Sequence, residues 1–98
     1  MREGGVLAIT GATASLRGKP FTAGFAPAKA GQRMLAQSLA RELGPQNVHV
    51  FYTIVDGAEE DGKHMDPEDI AETYWRVAQQ KRSAWISEVD MRPFCENW

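Results

Sequence analysis

The sequence predicts an α/β fold of parallel strands in the order β-α-β-α-β, and three observations carry that prediction. Val6-Leu7-Ala8-Ile9 and Val48 to Val55 are unbroken apolar runs, the pattern of strands buried on both faces. The residues between them end in a long helical stretch closed by Gly44-Pro45. A second helix start, Asp66-Pro67-Glu68-Asp69, then separates Val55 from a third, shorter run. Strands that alternate with helices in one sheet pair in parallel, and each crossover is expected to be right-handed.

The first strand spans Val6 to Thr10, and the following Gly11-to-Gly24 segment is rich in Gly, Ala, Ser and Thr, with Pro20 stopping any early helix. The first helix runs from Gly24 or Phe25 to Leu43. Pro27 is tolerated there because the first turn needs no intrahelical N–H donor. Ala28, Leu35, Leu39 and Leu43 fall on one helical face and predict its buried stripe, broadened by Ala30, Met34 and Ser38 toward a second contact surface. The second strand is Val48 to Val55, closed by Asp56-Gly57. Ala58 to Met65 is polar and reads as a mobile loop. The second helix opens on Asp66 and fades near Gln80-Lys81, with Ile70, Tyr74 and Val77 inward and Ala71 and Ala78 beside them. Trp85 to Met91 reads as a third strand nearer an edge, ended by Arg92-Pro93-Phe94. Three parallel strands leave an apolar edge open, which points to a piece of something larger.

Composition narrows the functional classes. The 98 residues carry a net charge of −2 and suffice for one small domain. No Lys/Arg cluster appears, so neither nucleic acid nor an anionic membrane is an expected partner. Cys95 is the single cysteine, no apolar run reaches membrane-spanning length, and no secretory h-region follows Met1. A cytoplasmic protein is expected.

Motifs for phosphate binding do not fit. After the first strand, Gly11 and Gly18 are separated by six residues and Lys19 is followed by Pro20. A phosphate loop needs four between its glycines and a Ser or Thr after the lysine. A G-x-G-x-x-G dinucleotide fingerprint is absent as well.

Phe25-Ala-Pro-Ala-Lys29-Ala-Gly31, continuing through Leu35 to Leu43 and into Asn47-Val-His-Val50, closely resembles the Tyr-x-x-x-Lys helix and the next strand of the short-chain dehydrogenase/reductase family. The resemblance covers Gly5 to Gly57 and weakens through the last helix and strand. It implies the C-terminal portion of a Rossmann-like, doubly wound parallel sheet. Residues 1–98 would then form a single partial domain that lacks the N-terminal dinucleotide-binding half. It also implies NAD(P)-dependent oxidoreductase ancestry, with NAD or NADP as the cofactor, probed by Lys29 at its ribose. This chain alone is not expected to bind either.

In that family a tyrosine hydroxyl exchanges the substrate proton while a lysine four residues on, on the same helical face, favours the phenolate. A serine thirteen residues before the tyrosine polarises the substrate carbonyl. Mapped onto this chain, Lys29 is kept, Phe25 takes the tyrosine position and Ala12 takes the serine position. A phenyl ring donates no proton at any pH. Losing general acid–base help costs about 10²–10⁴ in rate, so ordinary carbonyl reduction is not expected. A replacement hydroxyl would come from Thr13, Ser15, Thr22 or Tyr52.

The remaining chemistry-bearing residues have plainer roles. Phe25 serves equally as a packing residue at a helix start, and Lys29 as a solvated helix lysine. His49 reads as a strand histidine. His64 and Cys95 lack metal-ligand spacing, and no metal site is expected. Trp75, Trp85 and Trp98 read as core or interface aromatics, and Glu59, Glu60 and Asp61 as a solvated loop. A different class of function is a non-catalytic interaction module. Family members commonly pair through the helix that matches Phe25–Leu43, where Ala28, Ala36 and Ala40 would permit close approach in a homo-oligomer.

Overall fold

The computed structural model describes residues 4–16, 18–21, 23–55 and 65–94. Three parallel strands, β1 (Gly5–Ala12), β2 (Val48–Val55) and β3 (Glu88–Met91), lie in the order β1-β2-β3. Helix α1 (Phe25–Leu43) joins the first two, and α2 (Pro67–Ala78) precedes the third. β1 and β2 pair along their whole length, from Gly5 opposite Val48 to Ala12 opposite Val55. β3 covers only the C-terminal half of β2, from Tyr52 opposite Glu88 to Val55 opposite Met91.

Helix limits follow local chemistry. The Asp66 carboxylate accepts from the Glu68 N–H at 2.9 Å, and Pro67 occupies the first turn, which starts α2 where the sequence placed it. Gln79 ends α2 one to two residues before the expected fade. After α1, Gly44–Gln46 forms a short 3₁₀ turn. Asn47 then takes a left-handed conformation (φ 65°) that turns the chain into β2.

The two faces of the sheet are covered unequally. On one face Ile9, Tyr52 and Ile54 pack with Ala36 of α1. On the other, the Tyr74 ring of α2 lies 6.0 Å from Phe51, and its hydroxyl sits 2.5 Å from Thr53 Oγ1 and 2.6 Å from Thr10 Oγ1. β2 is buried on both faces, as its sequence predicts. β1 is not: Val6, Ala8 and Thr10 are exposed while the alternate residues are covered by α1. The expectation of two buried faces fails there because α2 reaches β1 only at Thr10, through the Tyr74 hydroxyl, and leaves Val6 and Ala8 uncovered. A Cα radius of gyration of 14.5 Å, above the ~13 Å of a compact chain this long, agrees with that missing cover.

Two further expectations are corrected. The helices lie on opposite faces while both connections step in the same direction across the sheet, so the crossovers have opposite hands and cannot both be right-handed. The α1 stripe is also rotated. Ala26 and Ala36 are its buried residues; of the expected stripe Leu39 and Leu43 are half-buried, whereas Ala28 and Leu35 face outward, Leu35 55% exposed and Met34 50% exposed. The face that meets the sheet is therefore turned from the leucine stripe toward Ala26 and Ala36. In α2, Ile70, Tyr74 and Val77 turn inward as expected and Ala71 is exposed.

Trp85 to Ser87 extends toward β3 without being strand. Ser87 O accepts from Tyr52 N at 2.9 Å, and the Trp85 ring stacks on His49 with centroids 4.8 Å apart and planes 2° from parallel. His49 is a buried strand residue whose Nε2 donates to Ile86 O at 2.8 Å. The ion pair Arg33–Glu88, Nε to Oε1 2.6 Å and Nη2 to Oε2 3.1 Å, ties α1 to β3. The hydrogen bond to Glu88 raises the Arg33 pKa, so this guanidinium stays charged across all accessible pH.

Candidate functional site

The candidate residues gather where the C-terminal end of β1 meets the start of α1. Ala12 ends β1 in extended backbone, and the chain tightens into a 3₁₀ turn over Thr13–Ser15 that packs against α1. Phe25 opens α1 and is 53% exposed, with Lys29 one turn on. The Lys29 ammonium lies 5.6 Å from the Phe25 ring centroid, within cation–π range. Helical spacing therefore brings the pair together as the motif requires. What the lysine meets is an aromatic face without a hydroxyl.

Glycine 11 decides how closely β1 and α1 approach. A Cβ built at Gly11 would fall 1.8 Å from the Tyr52 hydroxyl oxygen and 2.0 Å from Cζ, so the phenol ring occupies the space a side chain would need. Tyr52 is 1% exposed and its hydroxyl donates to the Lys29 carbonyl at 3.2 Å. Tyr52, one of the candidate replacement hydroxyls, thus binds the backbone of Lys29. A phenol held this way, beneath the helix, does not reach a substrate.

The other hydroxyls are engaged too. Ser15 Oγ donates to Ala12 O at 2.7 Å, and Thr13 Oγ1 accepts from Arg92 Nη1 at 2.8 Å. Thr13 is 4% exposed and Ser15 6%. Thr22 lies outside the described residues, as do His64, Cys95, Trp98 and the acids Glu59, Glu60 and Asp61.

Arg92 is the residue sequence reasoning missed. Its side chain, 11% exposed, pairs with Asp90 (2.9 Å) and braces the Thr13 turn from the end of β3. The Asp-x-Arg spacing is the only signal it carried, and that spacing does not reveal a contact with a turn 79 positions away. Tyr74 was placed as a core residue, yet its hydroxyl joins Thr10 and Thr53 in one chain of hydrogen bonds.

A cleft of about 550 Å³ opens elsewhere, between the start of α2 and the end of β3, lined among others by Asp66, Asp69, Ile70, Met91 and Phe94. Neither Phe25, Lys29 nor Ala12 lines it, so the cleft and the motif are separate features. Among the described residues no group of three or more His, Cys, Asp or Glu is placed to hold a metal ion. No described helix is long and apolar enough to cross a membrane.

Known proteins with this geometry are dehydrogenases. The chain is similar to the crystal structure of a short-chain dehydrogenase from Rhodopseudomonas palustris, at 47% identity and TM-score 0.82 over 94% of this chain and 40% of that one. It also superposes on the closed form of a serine dehydrogenase complexed with NADP+, at 19% identity and TM-score 0.83 over 95% of this chain and 46% of the other. An alcohol dehydrogenase from the archaeon Thermococcus sibiricus, complexed with 5-hydroxy-NADP, matches at 18% identity and TM-score 0.78 over 94% and 43%. The last two likenesses speak for fold alone. No protein-family model and no curated protein matches the chain. The fold is thus that of part of a short-chain dehydrogenase, Rossmann-like and α/β, and the chain spans less than half the length of each of these structures.

Proposed function

We propose that residues 1–98 are a partial short-chain dehydrogenase/reductase-like domain of NAD(P)-dependent oxidoreductase ancestry, cytoplasmic, lacking the N-terminal dinucleotide-binding half and without ordinary carbonyl or alcohol chemistry. The observation that carries this reading is the Phe25–Lys29 pair. An ammonium over a phenyl face has no phenol to ionise, and Ala12 offers no hydroxyl to a carbonyl oxygen. Thr13, Ser15 and Tyr52 are buried and already hydrogen-bonded, which argues against a substitute donor among them.

The cofactor does not fit the residues present. The turn after β1 is a tight 3₁₀ turn whose Thr13 and Ser15 hydroxyls are engaged, and the sequence carries no G-x-G-x-x-G fingerprint for a pyrophosphate. Lys29 is the one residue of the motif that the resemblance assigns to the cofactor ribose.

The test is NADH and NADPH consumption with aldehyde and ketone substrates, together with quenching of tryptophan fluorescence by either nucleotide at millimolar concentration. Neither turnover nor quenching is expected. Turnover that Lys29→Ala abolishes would overturn the reading.

A second reading rests on α1. Met34 and Leu35 are each about half exposed near the middle of a helix of 19 residues. Such an exposed apolar pair suits a helix-to-helix contact in a homo-oligomer. Of the small residues expected to serve that contact, Ala28 is exposed, Ala40 half-buried, and Ala36 buried against the sheet. Size-exclusion mass decides it: a strict monomer at high concentration sinks the oligomer.

A further inference from the structure

The geometry points to the cleft between the start of α2 and the end of β3 as a binding site for a small organic cation, an ammonium group on an aliphatic or aromatic body. The cleft lies at β3, the edge of the sheet opposite β1, and none of Ala12, Phe25 and Lys29 lines it. The site therefore stands apart from the motif, and its test does not depend on the loss of carbonyl chemistry.

Size and apolar surface come first. A volume of about 550 Å³ falls within the ~300–1,000 Å³ of sites that hold small organic molecules. Ile70 from α2, with Met91 and Pro93 from the end of β3, supplies apolar surface against which a hydrocarbon body is removed from water. Phe94 adds a ring that is 96% exposed, with no ring or cation partner among the described residues. A bare phenyl face attracts an ammonium through its quadrupole and offers a neutral or anionic head no such gain.

Charge selects the ligand. Asp66, Asp69 and Asp90 line the cleft against one guanidinium, that of Arg92. Arg92 is already engaged, by Asp90 at 2.9 Å and by Thr13 Oγ1 at 2.8 Å, so it is not offered to an anion. Asp66 accepts one N–H, from Glu68, and the Asp69 carboxylate has no hydrogen-bond or ion-pair partner among the described residues. Two negative charges are thus left uncompensated on the cleft. The start of α2 acts in the opposite sense, since a helix N-terminus carries about +0.5 charge and attracts anions. Two full charges outweigh it. An anion is repelled, a neutral molecule leaves the field unused, and an amphipathic cation meets both the acidic and the apolar lining.

The test titrates the whole chain with phenethylammonium, phenylacetate and phenethyl alcohol, probes that share a ring and differ in charge, and follows backbone amide and methyl chemical shifts. Saturable binding of phenethylammonium is expected at about 1 mM, the range of so small a ligand, with shifts at Asp69, Ile70 and Met91. The other two probes should bind at least about fivefold more weakly, and high salt should narrow that gap. Asp69→Asn and Phe94→Ala should each weaken phenethylammonium about threefold or more. Both side chains are exposed, so circular dichroism should show the chain still folded. Leu35→Ala on α1 is expected to leave binding unchanged.

Failure of phenethylammonium to saturate by tens of millimolar would overturn the inference. So would phenylacetate or the alcohol binding as tightly as the amine, because the uncompensated carboxylates would then select nothing. Shifts confined to Phe25–Lys29 would place the ligand elsewhere and overturn it too, as would an affinity that neither Asp69→Asn nor Phe94→Ala changes.

Discussion

Replacing Gly11 with alanine is the sharpest probe of how this unit is packed. The new methyl would sit 1.8 Å from the Tyr52 hydroxyl oxygen, 2.0 Å from Cζ and 2.7 Å from Cε2. Relief by moving the ring is costly, because Tyr52 is 1% exposed and its hydroxyl holds the Lys29 carbonyl. Overpacking of this kind costs about 1–3 kcal/mol, and losing the phenol hydrogen bond adds about 0.5–1.5 kcal/mol. A total near 2–4 kcal/mol is expected. For a domain of this size each kcal/mol lowers Tm by roughly 4–8 °C. Urea titration of wild type, Gly11→Ala, Tyr52→Leu and the double variant measures it. Tyr52→Leu alone destabilises by removing the ring and its hydrogen bond, but it vacates the space that the alanine methyl needs. The double variant should therefore lose at least about 1 kcal/mol less than the sum of the singles. Additive losses, or a Gly11→Ala loss below about 0.5 kcal/mol, would refute the claim that the ring sets the distance between β1 and α1.

Other perturbations test separate contacts. Arg33→Ala and Glu88→Ala should show a coupling of about 0.5–1.5 kcal/mol in a double-mutant cycle, shrinking in high salt because both side chains are about 30% exposed. Tyr74→Phe keeps the ring on Phe51 but removes the link between Thr10 and Thr53. A loss of about 1–2 kcal/mol by denaturant titration is expected, with amide exchange accelerating first in α2. Asp66→Ala should cost about 1 kcal/mol and fray the first turn of α2, read by amide exchange at Glu68. Arg92→Ala should loosen the Thr13 turn while leaving far-ultraviolet circular dichroism intact, read by exchange at Leu16, whose N–H bonds Thr13 O at 2.8 Å.

The sequence by itself determined the elements, the parallel sheet and the family resemblance. Local chemistry is enough for these. Asp66-Pro67 starts a helix through its own carboxylate and ring, Gly44-Pro45 ends one, and the Val48–Val55 run admits only a strand covered on both faces. The i, i+4 spacing likewise sets Lys29 beside Phe25. Only the tertiary structure decided which face each element buries. Leu35 and Ala28 belong to an apolar stripe, but the sheet meets the stripe of Ala26 and Ala36, because close approach of α1 to a sheet crowded by Tyr52 favours alanine over leucine. β1 reads like β2 in sequence but has no strand on its second side among the described residues, a property of position that composition does not encode. Arg92 reaches Thr13, and Tyr74 reaches Thr10, across 79 and 64 positions of chain. Contacts at such separations arise when the sheet assembles, so no local pattern announces them.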